Sequence, residues 1–548
     1  MQKCNKYWLL FPLLSIWMFS SCSKTNKEGR YIPNGVALVI HLNGKSLSSK
    51  LPWEEIKQSE VFKEAYSDSS TSAFIRTVLD DPENTGIDIK NDIIFFALKD
   101  SLGGYMAIQG TLKDEAKFRQ FNKEAAKNTA VESDENGIHF SNTQQMTGSW
   151  NKEKFVMVMD APMFNMTRSK NMYNDSSAGQ KSMIKRDMVP IAKQIFNLKE
   201  DKSLATDERF TALMKSGGDM HFLLNSEAVA ASGMSGESMG PLSMMNISKL
   251  YEGSRVTGTV NFENGKIVGD FKSYAGKEMT ELMNKYSGDK INGDMIKRIP
   301  SKNLAAMLAL NFKPEGIREF LKLMGMEGFA NMGSSMIGIT LDDFIKANKG
   351  DILLAVTDIK QDTTGKPDLS VLFSASIADR PSFNKLVSAG RKFGQDKMQG
   401  PNGPYAFDNI NERYFALGTK KDQVDQFITG AGNNSFDFME KISGSAGAAY
   451  INFQYILSNM APTMARDSFA IVMHQASIKM WDNLLAYGIG DNSQHVEITL
   501  VDKNTNSLKQ LNSYLGTVGM AKHKQDRMYK KNEVSNMMEK DTTGITVK

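Results

Sequence analysis

Two stretches of this chain carry the same order of strand and turn signals, and that repeat restricts the fold more than any other feature. Ile32-Pro33 opens the apolar run VALVIHLN, which ends at Asn43, and Ile299-Pro300 opens LAAMLALN, which ends at Asn311. KNDIIFFAL (90–98) matches KGDILLAV (349–356), and GGYMAIQGTLKDEAKFRQF (103–121) matches DLSVLFSASIADRPSFNKL (368–386). Asn136-Gly137 then corresponds to Asn402-Gly403. The separations at Pro33, Asp92, Phe118 and Gly137 are 267, 259, 265 and 266 residues. So steady an offset over about a hundred residues marks an internal repeat.

A second kind of unit follows each copy. DMHFLLN (219–225) resembles AAYIN (448–452), and each comes after a helical pattern, ERFTALMKS (208–216) and FDFMEKIS (436–443). The first copy continues into RVTGTVNF and KIVGDFKSY, joined by Glu263-Asn264-Gly265. Asn-Gly between alternating apolar runs is the strongest short hairpin signal. In the second copy the paired strands fall near 484–490 and 495–502. Each of the four units has a strand ending in asparagine, at Asn43, Asn225, Asn311 and Asn452, and a helix expected next. Asparagine leaves a strand well because its side chain bonds nearby backbone N–H groups.

The expected architecture is therefore α+β, with mostly antiparallel sheets, helices packed on one side, and two similar halves in the order A1-B1-A2-B2. A1 covers 32–160, a helical insertion 161–207 and B1 208–277. A linker is expected at 278–298, A2 at 299–430, B2 at 436–518, and a basic helical or disordered tail at 519–548.

The first residues read as an address. Lys3 and Lys6 precede a thirteen-residue apolar run (7–19), then Ser20, Ser21 and Cys22. Thirteen helical residues span about 20 Å, short of the ~30 Å hydrocarbon core, so residues 1–21 read as a signal peptide. Cysteine after small residues is the lipobox arrangement, in which Cys22 takes a diacylglycerol and begins a tether at 22–31. Phe19 stands where leucine is usual. Cys4 is the other cysteine of the chain and leaves with the signal, so the mature body forms no internal disulfide. With 66 Lys plus Arg against 62 Asp plus Glu, the charge balance gives no argument for nucleic acid.

Catalytic patterns are present only as fragments. Gly236-Glu237-Ser238-Met239-Gly240 matches the nucleophile elbow, with His474 and His495 downstream, but no buried strand precedes it. Ser182-Met183-Ile184-Lys185 matches SxxK, yet no KTG follows Ser301-Lys302-Asn303. The six histidines, His41, His139, His221, His474, His495 and His523, include no i,i+4 pair, so no metal site or cofactor is expected. His41 and His221 lie inside repeat strands, where packed histidines are the default. Asp502 begins an EF-hand-like run, but Ser507 takes the glycine place, so a plain turn is expected.

The lipobox, the segment 32–59, DDPENTGIDIKNDIIFFAL (80–98) and GGYMAIQGTLKDEAKF (103–118) together resemble a domain-of-unknown-function family of large lipoproteins of Bacteroidota cell envelopes. The resemblance implies an envelope location and a repeated α+β architecture, and it carries over no catalytic or binding residues; the expected place is the outer membrane, on its periplasmic face or at the cell surface. The leading expectation is a non-catalytic, lipid-anchored binding or scaffold module with an envelope protein partner. It would expose an apolar or Met-rich patch, such as 234–245. A second expectation is a glycan-, lipid- or small-ligand-binding lipoprotein whose pocket draws on Trp53, Trp150, Trp481 or Tyr487. A third is a hydrolase using Ser238.

Overall fold

The computed structural model describes residues 27–67, 71–126, 129–143, 146–161, 186–230, 248–328, 338–361, 367–394, 399–400, 403–404, 406–460 and 468–542. Cys22, Ser182, Lys185, Ser238 and the stretch 234–245 lie outside the described residues.

The strands of the first half are β1 (Leu38–Leu42), β2 (Ile93–Leu98), β3 (Tyr105–Thr111), β4 (Val131–Glu135), β5 (Ile138–Asn142), β6 (Met146–Trp150), β7 (Lys154–Asp160), β8 (Met220–Asn225), β9 (Arg255–Glu263) and β10 (Lys266–Tyr274). Those of the second are β11 (Leu304–Asn311), β12 (Asn348–Gln361), β13 (Pro367–Ile377), β14 (Gln399–Gly400), β15 (Gly403–Pro404), β16 (Phe407–Ile410), β17 (Tyr414–Gly418), β18 (Gly447–Asn452), β19 (Trp481–Gly490) and β20 (Ser493–Leu500). Among the described residues, eighteen of these strands join one sheet and β14–β15 form a separate two-stranded ladder.

Every pairing is antiparallel. From its first-half edge the sheet runs β4-β5-β6-β7-β3-β2-β1-β8-β9-β10. It then crosses to β20-β19-β18-β11-β12-β13-β17-β16. Read outward from the β10–β20 seam, the order of strands in one half reappears in the other. The Ile residues that open the two copies, Ile32 and Ile299, are both fully buried.

Local chemistry explains the corners. β9 and β10 turn through Asn264-Gly265, where Gly265 has φ +68°. β19 and β20 turn through Asp491 and Asn492, both at positive φ, the backbone that a two-residue hairpin loop requires. Asn43, Asn225 and Asn452 each cap the helix that follows, accepting from Ser46 N at 3.0 Å, Ala228 N at 3.2 Å and Tyr455 N at 2.9 Å. Asn311 departs from that expectation. Its Oδ1 accepts from Asp289 N and its Nδ2 donates to Asp351 Oδ1, both at 2.7 Å, and the next helix waits until Gly316–Leu323.

Helices cover both faces of the sheet, a correction to the expectation of one side. On the inner face, Val39, Phe96, Ala107, Val156 and Leu223 pack with Ala192 and Ile195 of helix Val189–Phe196 and Phe210 of helix Glu208–Lys215. On the outer face, Phe118 of helix Glu115–Ala125 packs against Trp150 and Phe155. The second half does likewise, with Leu353, Ala416 and Phe427 in the inner cluster and Phe383 and Ala375 in the outer. The cause is visible in runs such as KFVMVM and IIFFAL. They are apolar at consecutive positions, so alternate side chains leave both faces in need of cover. Ile291, Met295 and Ile296 belong to the second-half core, so tight packing extends into the stretch expected to be a linker.

Candidate functional site

The most unusual surface of the molecule is the outer face of its ten central strands. One cross-strand row runs Ile93, Leu42, Met220, Val260, Gly269, Val496, Ala486, Ala449, Leu308, Leu354. It crosses the seam without a polar residue. Only Gly269 in this row is buried; the others keep part of their surface open, and Leu308 and Leu354 are 40% and 38% exposed. The flanking positions continue the pattern, with Phe95 opposite Ile40, Ile40 opposite Phe222, and Leu310 opposite Ile352.

Glycine shapes this face near the seam. A Cβ on Gly258 would come within 2.4 Å of the Phe222 ring and 2.5 Å of the Phe271 ring. Its absence lets the two rings close over the backbone, with centroids 5.2 Å apart.

Two helices lie on the second-half side of this face. Trp481 pairs with Leu500 on β20, two positions beyond Ile498 and so on the outer side, and the Trp481 ring meets Tyr514 edge-on at 5.5 Å. Tyr514 belongs to the long helix Ser507–Thr542 and its hydroxyl lies 3.0 Å from Ser477 Oγ of helix Ser468–Met480. The latter helix, SFAIVMHQASIKM, is apolar around most of its circumference, as in a helix covered on all sides, yet Met473 is exposed and Met480 is its only buried residue. Between the two helices runs a groove of about 440 Å³. Val472, Ala476, Met480 and Tyr514 give it an apolar wall, and Gln475, Lys479, Lys509, Gln510 and Ser513 a polar one. Chemically the place suits a molecule with an apolar chain and an anionic end.

The inner face carries the opposite character. Directly behind the apolar row, the register places His41, His221, Thr259, Asp270, His495 and Tyr487 side by side on six adjacent strands. His41 and His221 are buried, with their Nδ1 atoms 3.0 Å apart. His221 Nε2 sits 2.9 Å from the Ser216 carbonyl, which can only accept, so His221 carries its proton there. Its Nδ1 is then an acceptor and His41 donates from Nδ1. His41 Nε2 lies 3.3 Å from Asp92 Oδ2. Burial is the main force holding the His221 pKa below its ordinary value, opposed by the Ser216 carbonyl and reinforced by the His41 charge.

Beside this pair, buried Asp219 accepts from Ser46 Oγ at 2.5 Å, Lys50 Nζ at 2.6 Å and Phe262 N at 2.6 Å. The second half places small residues at the matching positions. Ala309 faces Ala448, and Asn311 N bonds the carbonyl of Ala446 where Asn43 N bonds that of Asp219. The group of His41, His221 and Asp219 thus has no counterpart at the matching positions of the second half.

The remaining candidates from the sequence are dispersed. His474 meets the Leu457 carbonyl at 2.9 Å, and His495 meets Asp270 Oδ1 at 2.8 Å. The aromatic residues do not converge. Trp53 donates to the Leu79 carbonyl, Trp150 is buried against Phe118, Trp481 lies under Tyr514, and Tyr487 stands beside His495. Asp502 accepts from the N–H groups of Asn504 and Thr505, a plain turn. Among the described residues no group of three His, Cys, Asp or Glu is placed to hold a metal ion, and no helix is long and apolar enough to cross a membrane. The apolar row is the feature that sequence reading missed. Its signal was the apolar character of IIFFAL and LAAMLAL, which have no polar alternate positions, and of VALVIHL, which has one, at His41.

Comparison with known proteins places residues 30–417 in a family described as "Domain of unknown function (DUF4836)". No curated protein matches the chain. Among solved structures, crystal form IV of TP0453 is similar at 8% identity, covering 44% of this chain and 78% of that one, and crystal form I at 8% identity, covering 48% and 86%. The TM-score is 0.25 in both cases, too low for either likeness to carry an argument.

Proposed function

The chain belongs to the DUF4836 family, and on that premise we propose that it is a non-catalytic binding module of the cell envelope, anchored through acylated Cys22, whose ligand is a single-chain amphiphile with an anionic head. The observation that carries this reading is the apolar row across ten strands, left part-open, beside the apolar helix Ser468–Met480. A continuous apolar surface of that kind on a folded chain marks an interaction site. Each methylene buried there contributes about 0.8 kcal/mol, so ten of them give roughly 8 kcal/mol before the cost of immobilising the chain. Lys479 borders the groove and suits a carboxylate or phosphate end, while Lys509, also on its border, is held by Glu55 at 2.6 Å.

The test is displacement of a fluorescent C16 fatty acid from the full Cys22→Ala chain. Saturable binding, weakened about tenfold in Ala476→Trp, supports the reading. Equal binding to both proteins, or none to either, contradicts it.

The scaffold reading draws support from a different detail. Leu308, Leu310 and Leu354 form the most exposed part of the face and could seat a protein. In that case a partner crosslinks to Leu308 positions while the fatty acid fails to bind.

A further inference from the structure

A second, smaller cavity lies on the inner face at the ends of β2 and β3, about 140 Å³ in volume and bordered by Asp92, Gln109, Thr111 and Lys154. Gln109 is 6% exposed. Its Nε2 donates to the Glu28 carbonyl at 2.9 Å, and since a carbonyl only accepts, the amide orientation is settled and Oε1 is turned the other way. Gln109 Oε1 and Thr111 Oγ1 are both buried and have no hydrogen-bond partner among the described residues. Leaving a buried acceptor unmatched costs free energy, so such a pair on one cavity wall points to a donor from outside the chain. Asp92 adds a carboxylate, which faces His41 Nε2 on one side and the cavity on the other.

We propose that this cavity binds a primary ammonium group whose molecule also carries an anionic group a few bonds away, as in an aminoethyl phosphate. An –NH3⁺ has three N–H donors, and the residues lining the cavity carry three acceptors: the Asp92 carboxylate and, once a small side-chain shift uncovers them, Gln109 Oε1 and Thr111 Oγ1. Lys154 supplies the opposite charge for the anionic end. At about 30 Å³ per water-sized volume, the space admits a group of roughly five heavy atoms, with the rest of the molecule outside. The same chemistry comes from two sources, a free metabolite or the headgroup of a lipid. The cavity touches Glu28, six residues after Cys22, and six extended residues reach about 20 Å. With Cys22 acylated as proposed above, a membrane headgroup is within range.

Calorimetric titration of the full Cys22→Ala chain with O-phosphoethanolamine and with phosphocholine tests the chemistry. Phosphocholine keeps the phosphate and the charge but has no N–H donor. The proposal expects saturable heat with O-phosphoethanolamine, at least tenfold weaker binding of phosphocholine, and a loss of about tenfold in Thr111→Val. That substitution preserves shape, and an unchanged melting temperature verifies that it folds. Equal affinity for both compounds, or no heat from either, overturns the proposal. A second arm separates the sources. Sedimentation with phosphatidylethanolamine vesicles but not phosphatidylcholine vesicles assigns a lipid headgroup, and binding of the free compound alone assigns a metabolite. Because neither soluble probe has an acyl chain, this result stands apart from that of the groove.

Discussion

Asp270 on β10 and His495 on β20 stand directly opposite each other across the seam between the halves, with Oδ1 and Nδ1 2.8 Å apart. The pair marks where β1–β10 join the later strands in one sheet, through seven register positions from Lys266–Thr499 to Lys272–Ser493. Both side chains are partly exposed, and a polar contact so placed contributes at most about 1 kcal/mol. The backbone ladder and the apolar contacts Ile267–Ile498 and Gly269–Val496 therefore hold the seam. Asp270→Asn should lower stability by less than about 1 kcal/mol in urea denaturation, while Val496→Asp should cost several times more. Similar losses from the two would shift the weight to the polar contact.

The histidine pair makes a prediction about pH. Burial keeps His221 below its ordinary pKa of 6.5, so the unfolded chain takes up a proton more readily than the folded one. Above pH 6.5 both states are neutral at this site and its stability contribution is complete. As pH falls below 6.5 toward the lower folded value, the unfolded state gains and stability declines. The double variant His41→Ala, His221→Ala copies the Ala309–Ala448 pair of the other half. It should show a smaller fall in denaturation midpoint between pH 7 and pH 5 than the parent. Matching slopes would remove the pair from any role in pH response.

Gly258 offers a steric test. Adding side-chain atoms there drives Phe222 and Phe271 from their positions over the strand. Gly258→Val should cost roughly 1–3 kcal/mol by overpacking, read as a lower thermal midpoint. Restoration by Phe222→Ala in the same chain would identify the rings as the obstacle, and a persistent loss would point to the backbone instead.

Phe118 measures the outer-face cover of the first half. It is fully buried between Trp150 and Phe155, with ring centroids 5.5 Å and 5.1 Å away. Phe118→Ala should destabilise by about 3–5 kcal/mol. Leu515 on the long helix is 57% exposed, and its replacement by alanine should change stability by less than about 0.5 kcal/mol.

Local features of this fold were legible in the residues because local chemistry decides them. Asn264-Gly265 announces the β9–β10 hairpin, and Asn43, Asn225 and Asn452 announce their helices. Asn311 carried the same signal but bonds Asp351 and Asp289 instead, a tertiary choice that its neighbours do not encode. His41 and His221 meet only after β1 pairs with β8 across 180 residues of chain. A one-residue slip of either strand would place its own ring on the opposite face and part the two. The outer apolar row depends on nine such registers in succession, so no window of sequence displays it. Ser238 and Cys22, where the sequence led us to expect a patch and a lipid anchor, lie outside the described residues.

The central claim is that the open apolar face holds an acyl chain. Native mass spectrometry of the Cys22→Ala chain purified without detergent tests it most directly, because this variant lacks the cysteine proposed to carry a covalent lipid that would confuse the mass. The account predicts a bound species heavier by one acyl amphiphile, reduced in Ala476→Trp and in Leu308→Arg. A single unliganded mass for the parent chain, unchanged after incubation with a C16 fatty acid, would contradict it.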